Sequence, residues 1–146
     1  MADLITQEAI LKNIKNLSFS FRGKNNVYTN QVFKHILIPM FSKSDSPFTL
    51  VYGDFNGLNK FNQKYGRDAG TLAMIDSITT IQEHLSDDAI SIRIAGDEFI
   101  FIEPSSVSSD VQALLSDAEN VLSRSPEKFL TMSFGIVDSS ERDTIY

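Results

Sequence analysis

Ile90-Ser91-Ile92-Arg93-Ile94-Ala95-Gly96-Asp97-Glu98-Phe99-Ile100-Phe101-Ile102 reads as two strands and a tight turn. Ile90, Ile92 and Ile94 alternate with polar residues, the period-two pattern of a strand with one buried face. Residues 99–102 are apolar and form the second strand. The Gly-Asp segment between the two has room only for a β-hairpin. Asp97 and Glu98 therefore stand at a hairpin tip.

Upstream, residues 48–52 are nearly all apolar, as in a central strand buried on both faces, and Asp54 follows just past them. If that strand neighbours the hairpin, Asp54, Asp97 and Glu98 converge at one edge of the sheet. Carboxylates crowded in this way repel unless a cation holds them, and hard oxygen ligands select Mg²⁺ or Mn²⁺. Two such ions can polarise a phosphoryl group and lower the pKa of an attacking hydroxyl. Taken separately, Asp54 reads first as a strand-end turn residue and Gly96-Asp97 as an ordinary turn pair; the two clusters together are more specific.

Working further out, the helical signals are clear. A leader or connector helix is expected over 6–17, inside a leader of residues 1–21. Another is expected over 30–41, with Val32, Phe33, Ile36 and Leu37 on one face and Pro39 near its end. A short helix over 57–65 precedes a longer one over 68–85, where Met74, Ile78, Ile81 and Leu85 repeat at helical spacing. Val111, Leu114, Leu115, Ala118 and Leu122 mark a further helix, and 130–137 is the last strand. Helix, strand, two helices, hairpin, helix, strand is the order of an α/β sandwich, an α+β arrangement rather than a simple βαβ winding.

Composition narrows the function. The chain has 146 residues, enough for one domain with a sizeable core. Its net charge is −6, from 13 Lys+Arg against 19 Asp+Glu. An acidic surface does not attract a phosphate backbone, so no nucleic-acid partner is expected. With no cysteine, thiolate metal sites and disulfides are excluded. No apolar run approaches membrane-spanning length, so no membrane span is expected in this segment, and a cytoplasmic location is. His35 and His84 stand apart from other ligand types and read as ordinary helix residues, while Tyr65 and the phenylalanines read as core.

The quoted motifs resemble those of the GGDEF family. Arg93-Ile94-Ala95-Gly96-Asp97-Glu98-Phe99 is similar to its signature hairpin, R-x-G-G-D/E-E-F. Asp54-Phe55-Asn56-Gly57-Leu58-Asn59-Lys60-Phe61-Asn62 through Gly66 resembles the D-x-D-x-F-K-x-x-N-D-x-x-G block. Ser133-Phe134-Gly135-Ile136 resembles the S-x-G-I/V strand, and Asn26-Val27-Tyr28-Thr29 with Phe33 a worn L-T-G-L-x-N-R-x-x-F opening.

This resemblance implies a palm-like fold, with a mostly antiparallel sheet flanked by helices, over residues 22–146. It implies a diguanylate cyclase: two protomers each bind one GTP, and each 3′-hydroxyl attacks the α-phosphate of the other nucleotide. A homodimer is thus required for turnover. The resemblance assigns metal ligation to Asp54, the Phe55 carbonyl, Asp97 and Glu98, with two Mg²⁺ or Mn²⁺ per site. Asp97 and Glu98 are the catalytic pair, with Glu98 a further ligand or the group assisting hydroxyl deprotonation. Asn62, Thr71, Gly96 and Ala95 line the substrate, and Arg93 braces the hairpin.

Several positions depart from the family pattern. Ala95 replaces the first signature glycine, Asn56 the second Asp of D-x-D, and Leu58-Asn59 the usual F-K. Thr71 stands where an Asp usually contacts guanine, which admits ATP as a co-substrate and mixed products. The product-inhibition motif R-x-x-D falls on Ser86-Asp87-Asp88-Ala89, without its arginine. The usual C-terminal helix with a Lys and an Arg for the triphosphate is missing before Tyr146. Two other readings follow: a degenerate GGDEF domain that binds nucleotide and regulates a partner, and a CRISPR-type palm cyclase, whose hairpin usually ends in paired aspartates.

Overall fold

A computed structural model of the chain describes residues 27–43, 45–104 and 107–139. The expected leader over 1–21 lies outside them. Five strands form one sheet in the order β1-β3-β4-β2-β5. These are β1 (Val27–Thr29), β2 (Phe48–Phe55), β3 (Ile90–Ala95), β4 (Glu98–Pro104) and β5 (Met132–Asp138). Only β1 and β3 run parallel; the other three pairings are antiparallel. The expected hairpin is present, closed by the β3–β4 pair Ala95↔Glu98, with a register shift between Arg93 and Ala95.

Strand β1 was not foreseen. Three residues carry no readable period; pairing of Tyr28 with Ile92 is what makes them a strand. The helix expected over 30–41 is irregular. This α1 comprises Asn30–Val32, a wide π-helical turn Phe33–Leu37, and Ile38–Ser42. Pro39 lacks an N–H and its ring crowds the carbonyl four residues back, so a regular helix cannot run through it.

The remaining helices match their sequence signals. They are α2 (Leu58–Tyr65), α3 (Arg67–His84) and α4 (Ser108–Ser123). Gly57 adopts φ 72° before α2 and Gly66 φ 95° between α2 and α3, conformations that L side chains rarely take.

The sheet is packed on both faces. On one, Val51, Phe55, Phe99 and Phe101 meet Met74, Ile78 and Ile81 of α3 and Val111, Leu115 and Leu122 of α4. On the other, Tyr28, Phe48, Ile92, Ile100 and Ile102 surround Leu37 of α1. Strand β3 therefore departs from the expectation of a single buried face. Ser91 is fully buried on the side opposite Ile92, where it accepts a hydrogen bond from Gln82 Nε2 at 3.1 Å. A polar residue in a strand signals solvent only when no neighbouring element brings it a partner.

Candidate active site

Strand β2 lies between β4 and β5 and ends on the candidate residues Asp54 and Phe55. Register sets Asp54 directly opposite Glu98 on β4 and Ser133 on β5. Directly opposed residues share a face, so Asp54 and Glu98 extend the row Leu50–Tyr52 and Ile102–Ile100 toward the sheet end. Asp97 sits in the turn, and its carbonyl accepts the Phe55 N–H at 3.0 Å. Three carboxyl-bearing residues are thus tied to one end of two adjacent strands. Partial desolvation, then the Asp97 and Glu98 charges, raise the Asp54 pKa.

The expected convergence takes a looser form. Among the described residues no three His, Cys, Asp or Glu side chains are grouped closely enough to surround one ion. Asp54 and Glu98 form a cross-strand pair, with Asp97 on the adjoining turn. Like charges without a counter-ion stay apart, and Tyr52 shares the face of Asp54 and Glu98, one step back along β2. Sequence reading missed Tyr52, hidden in an apolar run, yet it is 39% exposed and faces the carboxylates. The donor chemistry still fits Mg²⁺ or Mn²⁺. Such ions are held by one or two carboxylates, with water and substrate phosphates completing the shell.

Arg93 lies on the opposite face. It pairs with Phe99, sits 5.9 Å from that ring's centroid, and donates from Nε and Nη2 to the Gly96 carbonyl at 3.1 and 2.6 Å. Desolvation lowers its pKa and Asp97 opposes that shift. These bonds brace the turn. Gly96 itself has no positive φ, and a Cβ there would meet nothing within 4 Å. Neither backbone strain nor a protein neighbour demands glycine at this position. Ala95 is exposed at the end of β3.

The second grouping is on the α2–α3 hairpin. The Asn62 amide packs against Gly70 so tightly that a Cβ there would stand 1.6 Å from Asn62 Oδ1. That oxygen is buried without a hydrogen-bond partner. Gly70, not singled out from sequence, thus creates the space that Asn62 uses. Thr71 is the next residue, exposed on α3 and past the N-cap at Gly66, so it does not cap the helix. The structure therefore brings Asn62 against Gly70, the residue before Thr71.

Asn56, the departure from the D-x-D pattern, is held between two strands. Its Nδ2 donates to Thr131 Oγ1 at 3.1 Å and its Oδ1 accepts from Ser133 Oγ at 2.9 Å. Its N–H also donates to the Thr131 carbonyl at 2.8 Å. An amide can donate and accept at once, which an ionised Asp cannot. Asn56 therefore clamps β2 to the start of β5. Tyr65, expected in the core, is 43% exposed, lying 4.7 Å from the Phe61 ring. His84 is an ordinary helix residue whose Nδ1 bonds the Thr80 carbonyl at 2.8 Å.

Comparison with known proteins matches this geometry to a family. The family model "Diguanylate cyclase, GGDEF domain" matches residues 8–145. The chain belongs to the GGDEF family. Solved GGDEF domains share its fold at low identity. The DgcB domain from Caulobacter crescentus, in complex with c-di-GMP, is 19% identical with TM-score 0.67, covering 84% of this chain and 79% of that one. The FimX GGDEF domain from Pseudomonas aeruginosa is 17% identical, TM-score 0.68, covering 83% and 80%. The active GGEEF domain of a Vibrio cholerae diguanylate cyclase is 14% identical, TM-score 0.65, covering 77% and 76%. No curated protein sequence matches the chain. The mixed five-stranded sheet flanked by helices is the palm-like GGDEF fold. No helix of the described residues is long and apolar enough to cross a membrane.

Proposed function

We propose that this GGDEF domain is a nucleotidyltransferase that condenses two GTP into cyclic di-GMP, with ATP admitted to give mixed cyclic dinucleotides. The observation that carries the reading is Asp54 opposite Glu98 beside the Asp97 turn, with the unpartnered Asn62 Oδ1 on the neighbouring hairpin. Asp54, Glu98, Asp97 and the Phe55 carbonyl would hold two Mg²⁺ or Mn²⁺. Bound there, the ions neutralise phosphate charge and acidify the attacking hydroxyl. Glu98 orients the ribose 3′-hydroxyl and accepts its proton on a carboxylate oxygen. The 3′-oxygen forms a bond to the α-phosphorus of the second nucleotide, the bond to the β-phosphate oxygen breaks, and pyrophosphate leaves. Asn62 holds the base edge, and Gly96 and Ala95 lie along the ribose. One protomer presents one triphosphate, so turnover requires a homodimer. The reading takes residues 22–146 as the cyclase unit and a cytoplasmic setting, where GTP is available.

Thr71 sets the base preference in this reading. An ionised Asp can accept from the N1–H and N2–H₂ donors of guanine, donors that adenine does not present. Threonine offers one hydroxyl, able to donate or accept. Losing a charge-assisted bond costs on the order of 1.5–3 kcal/mol, about ten- to a hundredfold in preference. Incubation with GTP, ATP or both plus Mg²⁺, read by mass spectrometry, should give cyclic dinucleotides including mixed ones. Thr71→Asp should shift the products toward all-guanine. Absence of any cyclic dinucleotide from a dimerised protein overturns the enzyme in favour of a nucleotide-binding regulator. An all-guanine product unchanged in Thr71→Asp removes Thr71 from base choice.

A further inference from the structure

The connection between α2 and α3 is so short that Asn62 meets the first turn of α3 directly. The Gly66 N–H donates to the Asn62 carbonyl at 2.7 Å, and the Gly70 N–H to the Gly66 carbonyl at 3.0 Å. Gly70 is buried and has no positive φ, so its backbone conformation does not call for glycine. Inside a helix, glycine is less stable than alanine. What excludes a methyl group here is the Asn62 amide. A Cβ at Gly70 would stand 1.6 Å from Asn62 Oδ1 and 2.8 Å from Asn62 Cγ. That same oxygen is buried and accepts no hydrogen bond, which is a second local cost. Two costs on one contact mark a side chain held for something other than the stability of the hairpin.

We propose that Gly70 is a positioning residue for nucleotide binding, holding Asn62 so that it serves as a hydrogen-bond donor only. A side-chain amide has one acceptor end and one donor end. With Oδ1 seated on the bare backbone of α3, the Nδ2 end is the part left to meet a ligand. Guanine and adenine both carry ring-nitrogen acceptors, N3 and N7, that such a donor can reach. Asn62 held in this way takes a purine without telling the two apart, and the choice between them falls to Thr71, the residue after Gly70. No motif read from the sequence singles out Gly70; it becomes visible only when α2 is laid against α3. The inference rests on the proposed reading of Asn62 as the residue that holds the base edge.

The test is calorimetric titration of the whole chain with 3′-deoxy-GTP and 3′-deoxy-ATP in Mg²⁺. Both analogues lack the attacking hydroxyl, so they bind without turnover. Gly70→Ala should weaken both about tenfold, the loss of one hydrogen bond, and leave the ratio of the two affinities unchanged. In an Asn62→Ala background the clash is gone. There Gly70→Ala should alter neither affinity and should raise the thermal midpoint, as alanine does in a helix. That comparison decides even where Gly70→Ala alone misfolds, since neither of its variants carries the clash. Full affinity in Gly70→Ala, a changed ratio, or a further loss in the Asn62→Ala background each overturns the proposal. Asn62→Ala by itself separates the two levels. If it binds both analogues as the wild type does, the reading of Asn62 fails whatever Gly70 does. If Asn62→Ala loses affinity and Gly70→Ala does not, only the positioning role is lost.

Discussion

Asp54 sits among like charges, and its raised pKa has a definite consequence for the metal-free protein. A carboxyl whose folded-state pKa lies above its unfolded value binds its proton more tightly when folded. Its contribution to stability is complete below the unfolded value of about 3.9 and is lost as pH rises through the folded value. Asp54→Asn removes that loss. In chelator at neutral pH the variant should melt above the wild type, and the gap should close at about pH 3, below the unfolded Asp value of about 3.9. Added Mg²⁺ should reverse the order, since an ion bound only by the folded wild type stabilises it by mass action. Calorimetry at the two pH values checks this; a wild type that melts higher than Asp54→Asn in chelator at pH 7 contradicts it. At this scale the sequence was informative about identities and poor about partners. Asn56 read only as a departure from the D-x-D pair; its role as a two-way clamp between strands was hidden because its partners Thr131 and Ser133 are more than seventy residues away.

Between elements, α3 and the start of β5 are joined by one buried hydroxyl. Ser77 Oγ donates to the Ala73 carbonyl at 2.7 Å and accepts the Leu130 N–H at 2.9 Å, and Ser77 is fully buried. Ser77→Ala leaves a buried backbone N–H without its acceptor, at a cost of about 1–3 kcal/mol. Chemical denaturation should show a lowered midpoint with an unchanged slope; an unaltered midpoint would mean that water replaces the hydroxyl. The connection also explains why β5 begins at Met132 rather than at residue 130. Leu130 spends its N–H on Ser77 of α3 and so does not enter the strand ladder, while the Thr131 carbonyl still accepts from Asn56 in the β2–β5 register. Helices α2, α3 and α4 were legible from apolar spacing because that pattern is local and repeats over several turns. Strand β1 and the wide turn of α1 were not, since one depends on a partner strand sixty residues on and the other on how the chain accommodates Pro39.

For the molecule as a whole, the proposed reaction needs two triphosphates held face to face, while one protomer carries one set of the proposed site residues. Activity per protomer should therefore rise with protein concentration, and an artificial dimerising segment at the N-terminus should raise it further by effective concentration. A rate per protomer that stays constant on dilution of a demonstrated monomer contradicts paired half-sites. The sequence by itself determined the family, the hairpin with its two acids and the helical faces, because turn chemistry and hydrophobic period are written within a few residues of where they act. Tertiary structure alone decided that Asp54 stands opposite Glu98, that Gly70 opens the space against Asn62 and that Tyr52 shares the face of the carboxylates. Each of those depends on strand register or on helix–helix approach, and these are set by packing between segments tens of residues apart, which no local pattern encodes.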